Sequence, residues 1–117
     1  MNKLEIRTGS SYGDLAFVQI ILSAPGVKVR EVELNTHGQV PREDAPSTEW
    51  PLIIRCSSDN PEARRFELRV FDLTSGYGGK GPGDLVECLK ACKIDFDEDE
   101  IYTFKRIQRI YQKNWHV

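Results

Sequence analysis

A glycine-rich segment is the part of the sequence whose residue types come closest to known binding chemistry. Gly76, Gly78 and Gly81 match the pattern G-x-G-x-x-G, and they lie between a predicted strand and a predicted helix. Glycines let the backbone approach an anion closely, and the N–H groups at a helix start attract negative charge. Lys80 adds a positive charge and Tyr77 adds a ring for stacking. The candidate ligand-contacting residues are therefore Gly76, Tyr77, Gly78, Gly79, Lys80, Gly81 and Gly83.

Two better-defined nucleotide motifs do not fit this segment. A dinucleotide fingerprint lies on the first strand of a β-α-β unit, whereas too little chain follows here for another parallel strand of useful length. A P-loop would need glycine where the chain has Thr74, and serine or threonine where it has Gly81. The segment is therefore either a loop that contacts a small anion or a connector whose glycines take positive φ. No cofactor is predicted.

The three cysteines offer thiol chemistry but no complete metal site. Cys88 and Cys92 share a predicted helical stripe with Leu85 and Leu89, which indicates buried core thiols. The sequence has no C-x-x-C motif and no histidine near this pair, whereas zinc needs a full ligand set. No metal site is predicted. Because Cys56 makes the count odd and the sequence shows no secretory signal, we expect reduced thiols in a cytoplasmic protein.

The remaining polar residues give weaker indications of chemistry. His37 lies in a polar loop where it can serve as a general base, but no G-x-S-x-G nucleophile motif accompanies it. The acidic run 95–100 lacks the spacing of a calcium loop, and Asp97 with Glu100 resembles a helix capping box. Acidic neighbours also cancel much of the field of the basic residues that follow, so nucleic acid is not an expected partner. These basic residues are Lys105, Arg106, Arg109 and Lys113.

Alternating apolar residues predict a sheet in the first two thirds of the chain. Strands are expected over residues 4–7, 27–34, 50–56 and 65–73. The last two are close enough in sequence to form an antiparallel hairpin. The strand over 27–34 changes phase at Arg30 and Glu31, and this change predicts a β-bulge. Residues 35–49 are polar and predict a long surface loop.

Two segments fit either a strand or a helix. Over residues 15–24 apolar residues alternate, but Leu15, Val18 and Leu22 also fit one helical stripe; the β-branched residues favour a strand. A first C-terminal helix is expected over 84–93. A second helix is expected to begin after Asp97 and to continue towards Trp115, and the alternative is one helical turn followed by a strand over 103–111.

The order of strands first and helices last predicts one α+β domain over residues 1–117. We expect a mostly antiparallel sheet of four to five strands, with one or two C-terminal helices packed on one face. The net charge of -2 is too small for a dedicated polyanion binder. The longest apolar run falls far short of the roughly 20 residues that span a membrane.

Three classes of function remain open from the sequence. The first is a protein that binds another protein through its sheet face or the loop 35–49, either by neutralising a partner or by forming a homo-oligomer. The second is a domain that binds a small ligand, nucleotide or anion through residues 76–83. The third is a small enzyme that uses the same loop with His37 or a carboxylate. The absence of a catalytic motif favours the first class.

Overall fold

The computed structural model describes residues 2–36 and 50–112 as a five-stranded sheet with α-helices packed on one face. A short 3₁₀ turn, Pro61–Ala63, precedes β4. The elements in chain order are β1 (Asn2–Ile6), α1 (Ser11–Leu22), β2 (Lys28–Thr36), β3 (Leu52–Ser57), β4 (Arg65–Val70), α2 (Lys80–Ala91), α3 (Glu98–Thr103) and β5 (Ile107–Gln112).

The sheet is mixed but mostly antiparallel, with the strand order β1-β4-β3-β2-β5. β1 pairs with β4 in parallel, and every other neighbouring pair is antiparallel. The predicted hairpin is confirmed as β3 and β4. The predicted bulge is confirmed too, because the register passes from Val29–Cys56 to Glu31–Arg55 and leaves Arg30 as an extra residue on β2.

The hydrophobic core lies between the helices and one face of the sheet, which we call the core face. Alternate strand residues such as Leu34, Ile54 and Leu68 are fully buried there and belong to the same cluster as Leu85 and Leu89 of α2. Burial of apolar surface is the main force that holds these layers together. The predicted α+β class, with helices on one face of a mostly antiparallel sheet, is confirmed.

The predicted core thiols are also confirmed. Cys88 and Cys92 are buried as predicted, Cys56 is buried as well, and none of the three forms a disulfide. Burial raises the pKa of Cys56 to about 12. Burial also raises the pKa of Cys88, and the neighbouring Cys92 raises it further. Both thiols are therefore protonated at neutral pH and are poor nucleophiles.

The strand predicted over residues 15–24 is wrong, because this segment forms α1. The Ser10 hydroxyl caps the helix by accepting a hydrogen bond from the Gly13 N–H at 3.0 Å. Leu15 and Val18 are buried on the inner side of the helix, as the helical alternative required. Alternation was misleading here because the outer side of the helix is apolar as well.

The long second C-terminal helix is wrong, and the alternative of one helical turn followed by a strand is correct. The Asp97 side chain caps α3 by accepting from the Asp99 N–H at 3.0 Å, as predicted. The helix ends at Thr103, and β5 then pairs along β2 from Ile107–Thr36 to Gln112–Glu31. β5 is a strand because its backbone pairs with the edge of β2 that β3 leaves free. The local sequence pattern does not indicate this pairing.

Smaller boundaries also differ from the predicted ones. α2 begins at Lys80 and not near Asp84, so part of the glycine-rich segment is helical. Asn35 and Thr36, the first two residues of the predicted loop 35–49, belong to β2. The remaining residues of that loop, 37–49, lie outside the part of the chain that the structure describes. Within residues 2–36 and 50–112, no helix has both the length and the apolar content needed to cross a bilayer.

Candidate functional site

The glycine-rich segment packs on itself through Tyr77. The Tyr77 hydroxyl lies 2.8 Å from the Thr74 Oγ1, which holds the ring over the loop backbone. A Cβ atom at Gly79 would lie 2.5 Å from the Tyr77 ring, and one at Gly81 would lie 2.5 Å from its hydroxyl oxygen. These glycines are therefore needed to admit a side chain of the loop itself.

Gly76 is required for a different reason, which is backbone conformation. Its φ is +91°, in the region that residues with side chains rarely adopt. Its N–H donates to the Ile101 carbonyl at 2.9 Å, and a Cβ there would lie 2.6 Å from the Lys105 Cα. The segment thus packs against the chain between α3 and β5. By contrast, a Cβ at Gly78 would meet no atom within 4 Å.

We expect Gly76→Ala to destabilise the fold, whereas Gly78→Ala should have little effect. The first change combines a positive φ with a backbone clash, which costs about 2 kcal/mol. The second meets neither obstacle. Urea unfolding of both variants measures the difference. A loss of stability in Gly78→Ala as large as in Gly76→Ala would contradict this account of the loop.

The starts of α1 and α2 lie close together beside this segment. Ser11 donates to the buried Asp84 carboxylate at 2.6 Å. The Lys80 Nζ lies 3.9 Å from the same carboxylate and 4.7 Å from the centre of the Tyr12 ring. Asp84 is therefore an internal counter-charge for Lys80 and competes with any external anion. Gly83 lies in the first turns of α2, where a Cβ would reach only the Tyr102 hydroxyl at 3.8 Å.

A pair of aspartates fixes the loop between β1 and α1, and sequence reasoning did not find it. The Asp14 carboxylate is completely buried and accepts from the Thr8 N–H, the Thr8 hydroxyl and the Asp72 N–H, at 2.9, 2.7 and 2.8 Å. Asp72 accepts from the Gly9 N–H at 3.0 Å. Burial raises the pKa of Asp72 and the Asp14 carboxylate adds to it, while the Gly9 N–H and Arg7 act to lower it. This pair ties the ends of the two parallel strands to α1.

The sheet face opposite the core, which we call the open face, carries an ion-pair network centred on Arg55. Its guanidinium contacts Glu31 at 2.6 Å, Glu33 at 3.1 Å and Glu67 at 3.2 Å. Burial acts to lower the pKa of Arg55, but Glu33, Glu31 and Glu67 raise it overall. The strand register brings these side chains together, because Glu31 and Glu67 both pair with Arg55. Arg69 also contacts Glu67, at 3.3 Å.

The outer side of α1 exposes three large apolar or aromatic side chains. Tyr12, Phe17 and Ile20 project from it with 61%, 52% and 68% of their surface exposed. The helix contains a single charged residue, Asp14, and that residue is buried. A surface helix normally carries polar and charged residues on its outer side. The sequence contains this signal, since a helix over residues 11–22 would have apolar residues on its outer as well as its inner side, with Gln19 as the exposed polar residue among them.

The described residues do not test the remaining chemical predictions. His37 lies outside the described residues, so the enzyme hypothesis stays a prediction. Among residues 2–36 and 50–112, no three histidine, cysteine or acidic side chains are grouped so that they could hold a metal ion. Arg109, from the predicted basic set, pairs with Glu100 at 2.6 Å.

Comparison of the chain with models of known protein families, with curated proteins and with solved structures finds no match.

Proposed function

We propose that this protein acts by binding another protein chain through the outer side of α1. The observation that carries the proposal is the exposure of Tyr12, Phe17 and Ile20 on a helix whose only charge is buried. Contiguous exposed apolar surface is a mark of interaction sites in folded proteins. The inner side of the same helix, with Leu15 and Val18, already packs in the core, so the apolar outer residues are not needed for folding.

A second copy of the chain is the partner that this surface fits best. In a twofold dimer each helix meets the same residues of its partner, so any charge on the surface would face a like charge. The outer side of α1 has no charged residue of its own. Lys80, whose Nζ lies 4.7 Å from the centre of the Tyr12 ring, is offset by Asp84 at 3.9 Å, so two copies meet with little electrostatic repulsion. Aromatic side chains such as Phe17 and Tyr12 are typical anchors of such contacts. Three cysteines that form no disulfide with one another fit a reducing compartment, and we propose the cytoplasm as the location.

Sedimentation velocity across a range of concentrations tests the proposal. We expect the wild-type chain to form a dimer, and Ile20→Lys to raise the dissociation constant by at least about tenfold, because two ammonium groups would face each other across the axis. Ile110→Lys is the matched control, since Ile110 is also 60% exposed but lies on β5. Thermal unfolding of each variant as a monomer verifies the fold.

Two results would contradict this proposal. One is a wild-type chain that stays monomeric at every concentration. The other is a control variant, Ile110→Lys, that weakens association as much as Ile20→Lys.

A further inference from the structure

A basic concavity lies at the end of the sheet opposite the glycine-rich segment. Its volume is about 510 Å³. Four basic side chains line it, and Asp59 is the one acidic residue of the lining; the other lining residues are glycine and serine. The four basic residues are Lys28, Arg30, Arg64 and Arg65.

The strand register explains why these charges meet. Lys28 of β2 pairs with Ser57 of β3, and Ser57 pairs with Arg65 of β4. Directly paired residues on neighbouring strands project from the same face of a sheet. Because Val29, Cys56 and other core residues take the alternate positions, Lys28 and Arg65 flank Ser57 on the open face.

The bulge in β2 adds Arg30 as a third charge. Arg30 is the extra residue between Val29 and Glu31, so it has no partner on β3 and lines the concavity together with Lys28. A bulge commonly redirects a side chain at the end of a sheet. The β-bulge predicted from the phase change at Arg30 and Glu31 therefore places one more positive charge in the concavity.

The turn between β3 and β4 holds the arginines in a fixed frame. The Ser58 N–H donates to the Arg64 carbonyl at 2.9 Å, and its hydroxyl donates to the Ala63 carbonyl at 2.7 Å. Asn60 caps the 3₁₀ turn by accepting from the Glu62 N–H at 2.9 Å. A backbone fixed in this way loses little freedom when the side chains bind a ligand.

These arginines differ from Arg55 on the same face, which three glutamates neutralise. Arg30, Arg64 and Arg65 form no ion pair with any carboxylate of residues 2–36 and 50–112. Like charges held in one concavity repel each other and attract an anion. We propose that this concavity binds a compact anion with several phosphate groups.

The lining selects the class of ligand. Arginine forms paired hydrogen bonds to phosphate oxygens, and the serine hydroxyls of the lining can donate as well. No aromatic or large apolar side chain lines the concavity, so a nucleobase would find nothing on which to stack. Four basic side chains against one carboxylate carry more positive charge than one phosphate ion neutralises. These features favour a small polyphosphate or multiply phosphorylated ligand over a nucleotide recognised through its base.

Calorimetric titration with sodium tripolyphosphate at ~0.15 M salt tests this proposal. We expect one-to-one binding by the wild-type chain. The double variant Arg64→Ala/Arg65→Ala should weaken the affinity by at least about tenfold, because both residues supply charge-assisted hydrogen bonds. Both side chains are exposed, so the fold should survive their removal. Amide shifts in the nuclear magnetic resonance spectrum should concentrate at Ser57 and Ser58.

The matched control is Lys105→Ala/Arg106→Ala, which removes two exposed charges elsewhere on the surface. It should change the affinity by less than about twofold, because a screened distant charge contributes little at this salt concentration. Equal weakening by the two double variants would overturn the proposal in favour of general attraction. Binding of a short single-stranded RNA through Arg64 and Arg65, without binding of tripolyphosphate, would overturn it in favour of a nucleic-acid site.

Discussion

Replacing Asp14 by alanine is expected to lower the free energy of unfolding by about 4 kcal/mol, because each buried donor left without an acceptor costs about 1–3 kcal/mol. The Asp14 carboxylate is completely buried and accepts three hydrogen bonds, two from Thr8 and one from the Asp72 N–H. Alanine accepts none of them. The loss should separate the end of β4 from α1, since Asp14 is the side chain that joins them.

Asp14→Asn is the informative companion variant. Asparagine keeps one oxygen acceptor, but its NH₂ group faces an N–H or O–H donor that the carboxylate of Asp14 accepts from. It should therefore lower the free energy of unfolding, but by less than alanine does. Asp99→Ala is the control, because Asp99 is an exposed acid in the first turn of α3. Urea unfolding of the three variants at neutral pH gives the comparison. If Asp14→Ala and Asp99→Ala were equally stable, the carboxylate would not have the structural role described.

Replacing Arg55 by methionine is expected to cost about 2 kcal/mol, between the penalty for an exposed ion pair and that for a buried one, because the Arg55 side chain is 30% exposed and that of Glu67 is 9% exposed. The variant leaves Glu31, Glu33 and Glu67 close together on the open face without a counter-charge. Methionine preserves much of the apolar stem of arginine, so the loss of charge dominates. The effect should be larger than that of Arg69→Met, because Arg69 contacts only Glu67 among the carboxylates of the described chain.

Salt provides the second measurement for Arg55. Repulsion among the three glutamates in Arg55→Met weakens as ionic strength rises, and so does the attraction in the wild-type chain. The difference in unfolding free energy between the two should therefore shrink as salt is added. Arg106→Met makes the same charge change at an exposed position, and we expect it to be nearly neutral. A salt-independent loss for Arg55→Met would mean that packing, and not charge, is responsible.

The two mispredicted segments show where local pattern fails. Residues 15–24 alternate because Ile20, an exposed apolar residue, lies two positions from both Val18 and Leu22, which belong to the inner side of the helix. Sequence periodicity reports burial only when the exposed side is polar. A strand over 103–111 was an alternative that weak alternation disfavoured. Ile107 is buried while Ile110 is exposed, and only the pairing of β5 with β2 decides between the two arrangements.

The glycine-rich segment illustrates a different limit. The pattern of Gly76, Gly78 and Gly81 was visible in the sequence, but the physical requirement for each glycine was not. Gly76 needs its positive φ, Gly81 makes room for Tyr77, and Gly78 meets nothing. The Tyr77 hydroxyl contacts Thr74 and its ring lies over Gly79, a packing role that the sequence pattern did not indicate, and its contact with a ligand stays a prediction.

By itself, the sequence determined the α+β class, the β3–β4 hairpin, the bulge at Arg30, the buried thiols and the cap at Asp97. Each depends on neighbours within a few residues, or on apolar content that any packed fold must bury. The tertiary structure alone decided the parallel pairing of β1 with β4, the Asp14 contacts, the exposed side of α1 and the basic concavity. These features join residues far apart in the chain, and their geometry follows from strand register and packing.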